Sequence, residues 1–191
     1  VLASSLLGDF YLEGISVPQD EARGYRHCQS VLVHGCPLTQ VSYGLCHSKG
    51  LGGVSVDKAI ATQCYRIAAA AGYPVAVSNL GVMYRDGKGV QEDKKEAMRL
   101  FKIAAEQGYG MAMYHLADLY YHGKGVKKDH AEAIRWLKLG VERDTTSAYY
   151  LLGYMTAYGQ GVSKDLAKGK ELLKIAASKG HENAKDVLKN L

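Results

Sequence analysis

The sequence predicts an all-α solenoid built from about five antiparallel helix–turn–helix repeats of 36 residues. Three observations carry the prediction. A glycine-rich turn recurs in register: Gly87-Lys88-Gly89-Val90-Gln91-Glu92-Asp93 returns 36 residues later as Gly123-Lys124-Gly125-Val126-Lys127-Lys128-Asp129, and after another 36 as Gly159-Gln160-Gly161-Val162-Ser163-Lys164-Asp165. Apolar residues on either side of each turn are spaced for one helical face. Glycine reaches 22 of 191 residues while proline stops at three, a balance that suits helices separated by glycine turns.

Taken in order, the first repeat places a helix at about 2–13 and its partner at about 19–34, joined by a turn that keeps Gly14, Val17 and Asp20, with Ser16 replacing the second glycine. In the second repeat Gly53, Val54 and Asp57 match, and Leu51 stands where the first glycine is expected. The first helix of each repeat, helix A, has a small residue four positions before a Leu or Tyr: Ala3, Thr39, Ala76, Ala112 and Ala148. A Gly or Ala follows the leucine in Leu7-Gly8, Leu80-Gly81, Leu116-Ala117 and Leu152-Gly153, removing bulk so that a neighbouring helix can approach. Tyr11, Tyr84 and Tyr120 complete the face, and His47 takes the tyrosine slot of the second repeat.

Helix B follows each turn. Its apolar stripe reads Ala97, Leu100, Phe101, Ala104 and Ala105, echoed by Ala133, Trp136 and Leu137 and then by Leu172, Leu173, Ala176 and Ala177. The turn aspartates stand where an N-cap belongs. Asp93 with Glu96, and Asp129 with Glu132, have the spacing of a reciprocal capping box. Gly72, Gly108 and Gly180 end helix B as left-handed turns require, with Gly35 in that role in the first repeat and Asp144 in the fourth. The repeats therefore run at about 1–35, 36–72, 73–108, 109–144 and 145–180 within a single domain, 1–191. Residues 181–191 form a capping helix, with Ala184 and Leu188 in helix-A places among the polar Lys185, Asp186, Lys189 and Asn190. Each unit alone leaves apolar faces uncovered, and stacking covers them.

Bulk composition narrows the function. The net charge of +5 is spread over single lysines and short pairs, without a nucleic-acid-reading motif, so a weakly basic surface is the reading. No apolar run approaches the roughly 18–20 residues a membrane span needs. Val1 to Leu7 does not read as a signal peptide. A chain that opens inside a repeat without Met reads as a fragment or processed form.

The pattern small-x3-Leu-Gly-x2-Tyr-x2-Gly-x-Gly-Val-x2-Asp, followed by Ala-x2-(Trp/Leu)-Leu-x2-Ala-Ala-x2-Gly, resembles the Sel-1-like repeat family, relatives of tetratricopeptide repeats. The resemblance covers nearly the whole chain and is strongest over 74–180. It implies a right-handed superhelix whose A helices line a concave groove, and adaptor or scaffold roles in assembling protein complexes. It also implies an alternative, since the cysteine-rich branch of the family is linked with penicillin binding and β-lactamase activity: β-lactam or peptidoglycan-related binding or hydrolysis.

On the groove reading, the helix-A residues outside the core pattern are the partner contacts: Asn79, Val82, Tyr114, His115, Asp118, Tyr150, Leu151 and Tyr154. Aromatics with a polar tip bury large area at small entropic cost. The competing reading has Tyr114 and Tyr150 simply packing between adjacent A helices. The expected partner is a protein or peptide, with no cofactor, metal or nucleic acid.

His27-Cys28, His34-Gly35-Cys36 and Cys46-His47 crowd together in sequence, but their spacing matches no zinc-ligand pair. Cys64 aligns with Leu100 and Trp136, a core slot. Cys28 and Cys36 have the eight-residue separation of the disulfides in the family's cysteine-rich branch, shifted by four residues from the slots that branch uses, Leu32 and Gln40. The resemblance thus suggests a Cys28–Cys36 disulfide, and a redox or metal module using Cys28, Cys36 and Cys46 is a third functional reading. Gly81 to Lys88 spells Gly-x5-Gly-Lys, not a phosphate loop, and its lysine becomes Gln160 in a sister repeat. Ser and His are scattered and the aspartates recur as caps, so no catalytic constellation converges and a non-enzymatic role is expected.

Overall fold

The computed structural model describes residues 2–14, 16–32 and 36–191. Among these the chain forms eleven α-helices: α1 (Leu2–Glu13), α2 (Glu21–Leu32), α3 (Pro37–Lys49), α4 (Lys58–Ala70), α5 (Pro74–Asp86), α6 (Lys94–Glu106), α7 (Gly110–His122), α8 (His130–Glu142), α9 (Thr146–Tyr158), α10 (Leu166–Ser178) and α11 (Glu182–Lys189). The only other regular element described is a short 3-10 turn at Leu51–Gly53. The all-helical repeat architecture expected from the 36-residue period is therefore the observed one. Gly35 and His34, assigned roles by sequence, lie outside the described residues.

The chain divides into two compact units, Val1–Leu100 and Phe101–Leu191. Within the first, α1 packs on α2 and α3, and α4 on α3 and α5. Within the second, α7 packs on α8 and α9, and α10 on α9 and α11. The predicted stripes form the interior. Ala133 and Leu137 are fully buried, as are Leu173 and Ala176, while Trp136 keeps 6% exposure.

Small residues after the leucine slot do set helix spacing. A Cβ on Gly153 would meet Leu172 and Leu173 at 3.0 Å, and one on Gly8 would meet the Cys28 sulfur at 2.8 Å. Helix A therefore lies directly on its own helix B at these points. In the second repeat Gly44 has the same role against Tyr65 and Cys64.

The second turn glycine has a different task, invisible in the period itself. In the first unit Gly89 abuts the carbonyl of Lys58, and Gly52 abuts Glu21 and Tyr25; in the second unit Gly161 presses against His130. Each neighbour lies in the first turns of helix B of the preceding repeat, so this glycine is where one repeat's turn seats on the repeat before it. Gly52, Gly89 and Gly161 all hold φ between +73° and +76°, where a side chain is strained. Ser16 adopts φ 62°, following the glycine it replaces. The second repeat departs from the expected alignment. Gly50, not Leu51, occupies the first glycine position, as the left-handed C-cap of α3 (φ 77°). The turn there is one residue longer, which shifted the sequence match.

The aspartates cap as expected. Asp57 accepts from the amides of Ala59 and Ile60, Asp93 from Lys95 and Glu96, Asp129 from Glu132 and Asp165 from Lys168. The reciprocal half of the capping box is not formed. The Asp93 and Asp129 amides donate instead to the carbonyls of Tyr84 and Tyr120 at 2.9 Å. Asp20, Asp57 and Asp165 do the same to Tyr11, His47 and Thr156. That backbone bond pins every A–B turn, and it leaves Glu96 to pair with Arg99 and Glu132 with Arg135 and Trp136. Asp144 ends α8 at φ 54°, the left-handed role expected of it.

Candidate functional site

The A helices carry two faces. The small, Leu and Tyr slots point inward, and the opposite side is built from residues two before and two after the leucine slot. On α7 these are Tyr114 and Asp118, with His122 one turn on; on α9 they are Tyr150 and Tyr154, with Tyr158 one turn on. Steps of four residues advance the helix by about 40°, so each trio forms one stripe. Because α7 packs on α9, the two stripes lie side by side.

The rings of these stripes meet. Tyr154 stands 4.6 Å from Tyr158 and 6.4 Å from Tyr150, centroid to centroid. Tyr150 stacks on His181, at the start of α11, at 4.3 Å. Asp118 lies 3.2 Å from the Nε2 of His122. Tyr121, which sequence reasoning missed, donates to the Oε1 of Gln160 at 2.6 Å and stacks on His130. Burial first, and then the proximity of Tyr154, push the Tyr121 hydroxyl above its ordinary pKa, with Tyr150 and Asp118 adding to the shift. Tyr121 thus lies within electrostatic reach of Tyr150, Tyr154 and Asp118. Burial, and then Tyr154, raise Tyr150 in the same direction.

Three predicted contacts sit one step, about 100°, around the helix from this stripe, in the slot before the leucine. They fare differently. Leu151 keeps 6% exposure and is a core residue, not a surface contact. His115 is half-buried against the ring of Phe101 at 4.8 Å. Asn79, in the first unit, does reach a surface cleft. That cleft, about 240 Å³, lies between α1, α3 and α5 and is lined by Leu12, Leu38, Val41, Leu45 and Val75 beside Asn79. Val82 is half-buried one turn further along α5. His122, Tyr158, Val41 and Leu45 were missed although a signal existed: adding four to each stripe residue, or stepping back by a repeat, reaches them.

The cysteines do not bridge. Cys28 and Cys36 are both thiols in the structure, contrary to the disulfide the resemblance suggested. Cys28 is fully buried in a cluster with Leu12 and Cys46, while Cys36 stands at the N-terminus of α3. Cys64 is buried as expected of a core slot, and burial pushes its thiol up to about 11. His47, in the tyrosine slot, is buried edge-on against Tyr43 and Tyr25, and neither ring nitrogen has a hydrogen-bond partner among the described residues. Among the described residues no group of three or more His, Cys, Asp or Glu side chains is placed to hold a metal ion. No helix described is long and apolar enough to cross a membrane.

Paired helices, Gly-x-Gly turns seated on the preceding helix B, and side-by-side A-helix faces define an α-helical repeat protein. A family model narrows the class: the Sel1 repeat matches at residues 1–30, 37–73, 74–109, 110–144 and 146–181, and the chain belongs to the Sel1 repeat family. Among solved structures it is similar to a Sel1 repeat protein from Oxalobacter formigenes, 28% identical, with 98% of this chain and 74% of that one covered and a TM-score of 0.84. A protective antigen of uropathogenic Escherichia coli with an SLR fold is 26% identical at a TM-score of 0.51. That match takes in 100% of this chain and 48% of the antigen, so the chain spans about half of its length. Cysteine rich protein B of Helicobacter pylori is 25% identical over 66% of this chain and 96% of its own, with a TM-score of 0.53. No curated protein sequence matches the chain. Proteins of this repeat class are generally protein-interaction scaffolds.

Proposed function

We propose that the chain is a scaffold that holds a segment of a partner protein along the outward face of its A helices. One observation carries the reading: the paired stripes Tyr114–Asp118 and Tyr150–Tyr154 present half-buried aromatic rings on the side of each A helix opposite its small and leucine slots, with Tyr150 also packed on the Leu173–Ala176–Ala184 cluster. Rings of this kind supply contact area with few rotamers to freeze, as binding hot spots do. A repeat array suits the task because adjacent helices extend one surface without new architecture.

The test is affinity capture from native extract, comparing the wild-type chain with a Tyr114→Ala/Asp118→Ala/Tyr154→Ala variant of unchanged far-UV circular dichroism. Partners held by wild type and lost by the folded variant are expected. The same partners recovered with both would remove the A-helix face from consideration.

A further inference from the structure

We infer that the partner segment carries a lysine or arginine that docks on the second unit between the Asp118 carboxylate and the tyrosine rings of α9. This rests on the protein-binding reading above and adds the chemistry of the partner to it. Charge is the argument. The chain has a formal net charge of +5, yet α7 and α9 together contain no lysine or arginine, and Asp118 is their one carboxylate. The cations of this unit stand on its other helices and in its turns, Lys124, Lys127 and Lys128 in the turn after α7 among them.

Asp118 shares this face with the α9 stripe: α7 packs on α9, and Tyr121 on α7 feels both Asp118 and the hydroxyls of Tyr150 and Tyr154, whose rings continue to Tyr158. Tyrosine faces attract cations through the ring quadrupole, and a carboxylate adds a full charge. The side chain of Asp118 keeps only 21% exposure, and among the described residues its ion-pair contact is His122, which is charged only when protonated. An apolar segment laid over this face would strip the remaining water from an uncompensated charge, which is costly. An acidic segment would meet like charge. A basic residue satisfies both the carboxylate and the rings.

The experiment selects random linear peptides on the full chain and titrates the best binders against wild type, Asp118→Asn and Tyr154→Ala. The expected peptides share a lysine or arginine at one aligned position. Replacing that residue by norleucine, or Asp118 by Asn, weakens binding roughly tenfold, and the two changes together cost little more than either alone. Wild-type affinity also falls as salt rises. Peptides weakened by Tyr154→Ala, but without a shared basic residue and indifferent to Asp118→Asn, overturn this inference while the scaffold reading stands. Peptides indifferent to both variants, or no binders at all, overturn both. Because the norleucine change is made on the peptide, a folding defect in either protein variant cannot mask the result.

Discussion

Replacing Gly161 by alanine tests whether the second turn glycine is where repeats seat on one another. Two costs follow from the geometry. Gly161 holds φ 76°, and an L-residue there loses about 1–2 kcal/mol. Its new Cβ would also lie 2.4 Å from the Cβ of His130 and 3.1 Å from the Cδ1 of Ile134. Carbon atoms settle at about 3.5–4.0 Å, so α8 or the turn must move by roughly 1 Å. Overpacking of that kind costs about 1–3 kcal/mol, giving a total of about 2–5 kcal/mol against a typical domain stability of about 5–15 kcal/mol. Gly180→Ala is the control in the same unit. It has φ 85° and nothing within 4 Å of its added Cβ, so it carries the backbone cost alone. Urea unfolding followed by far-UV circular dichroism should place Gly161→Ala about 1–3 kcal/mol below Gly180→Ala. Hydrogen exchange should accelerate at the start of α8, where the clash falls. Equal unfolding midpoints for the two variants would refute the seating argument and leave these glycines as a matter of turn conformation only.

Three further outcomes are expected. Asp129→Ala should lower stability by about 1 kcal/mol, because the amide of Glu132 loses its acceptor, while the Asp129 amide bond to Tyr120 survives the change; thermal unfolding reads the difference. Of the four thiols, half-buried Cys36 should react first with a thiol reagent on the native protein. Cys64, raised to about 11 by burial, should react only on unfolding, which a native-against-urea titration separates. Burial alone would raise the Asp86 carboxyl, but hydrogen bonds from Arg85 and Lys88 override it and hold it at about 2, below the usual carboxylate range. A folded pKa below the unfolded one adds stability above about pH 4 that disappears as pH falls toward 2. That amounts to on the order of 2 kcal/mol, and an Asp86→Asn variant should show a flatter acid limb in unfolding against pH.

Most of the fold was legible because repetition multiplies each signal. A lone Asp before a helix is a weak cue, but Asp57, Asp93, Asp129 and Asp165 in register fix four helix starts at once, and all four cap. Legibility failed where contact partners lie outside the local window. The reciprocal capping bond was lost to the carbonyls of Tyr84 and Tyr120, which reach the turn only after helix A folds back beside it. The Cys28–Cys36 pairing failed for a similar reason: eight residues of separation say nothing of direction, and Cys28 turns inward toward Leu12 and Cys46. At the candidate site the sequence named positions that the structure separates by burial, with Tyr114, Asp118, Tyr150 and Tyr154 half-buried. It erred at Leu151, because an apolar residue one step of about 100° from the stripe belongs to the packed flank.

The same register that exposes structure also separates it from function. The small slot of helix A reads Thr39, Ala76, Ala112 and Ala148 in successive repeats, all fully buried, because a close helix approach tolerates nothing larger. Two positions further on, the sequence reads Val41, Ser78, Tyr114 and Tyr150; four beyond that it reads Leu45, Val82, Asp118 and Tyr154, and four beyond again Lys49, Asp86, His122 and Tyr158. Apolar, hydroxyl, acidic, basic and aromatic side chains all occur there within one backbone pattern. Positions that accept so many chemistries are ones the repeat pattern does not fix, although single repeats still use them, as with buried Ser78, paired Asp86 and Tyr150 on the Leu173–Ala176–Ala184 cluster. The clustering of tyrosines and a lone carboxylate in α7 and α9 is therefore not a requirement of the repeat pattern, and a basic segment of a bound protein is the occupant we infer for it.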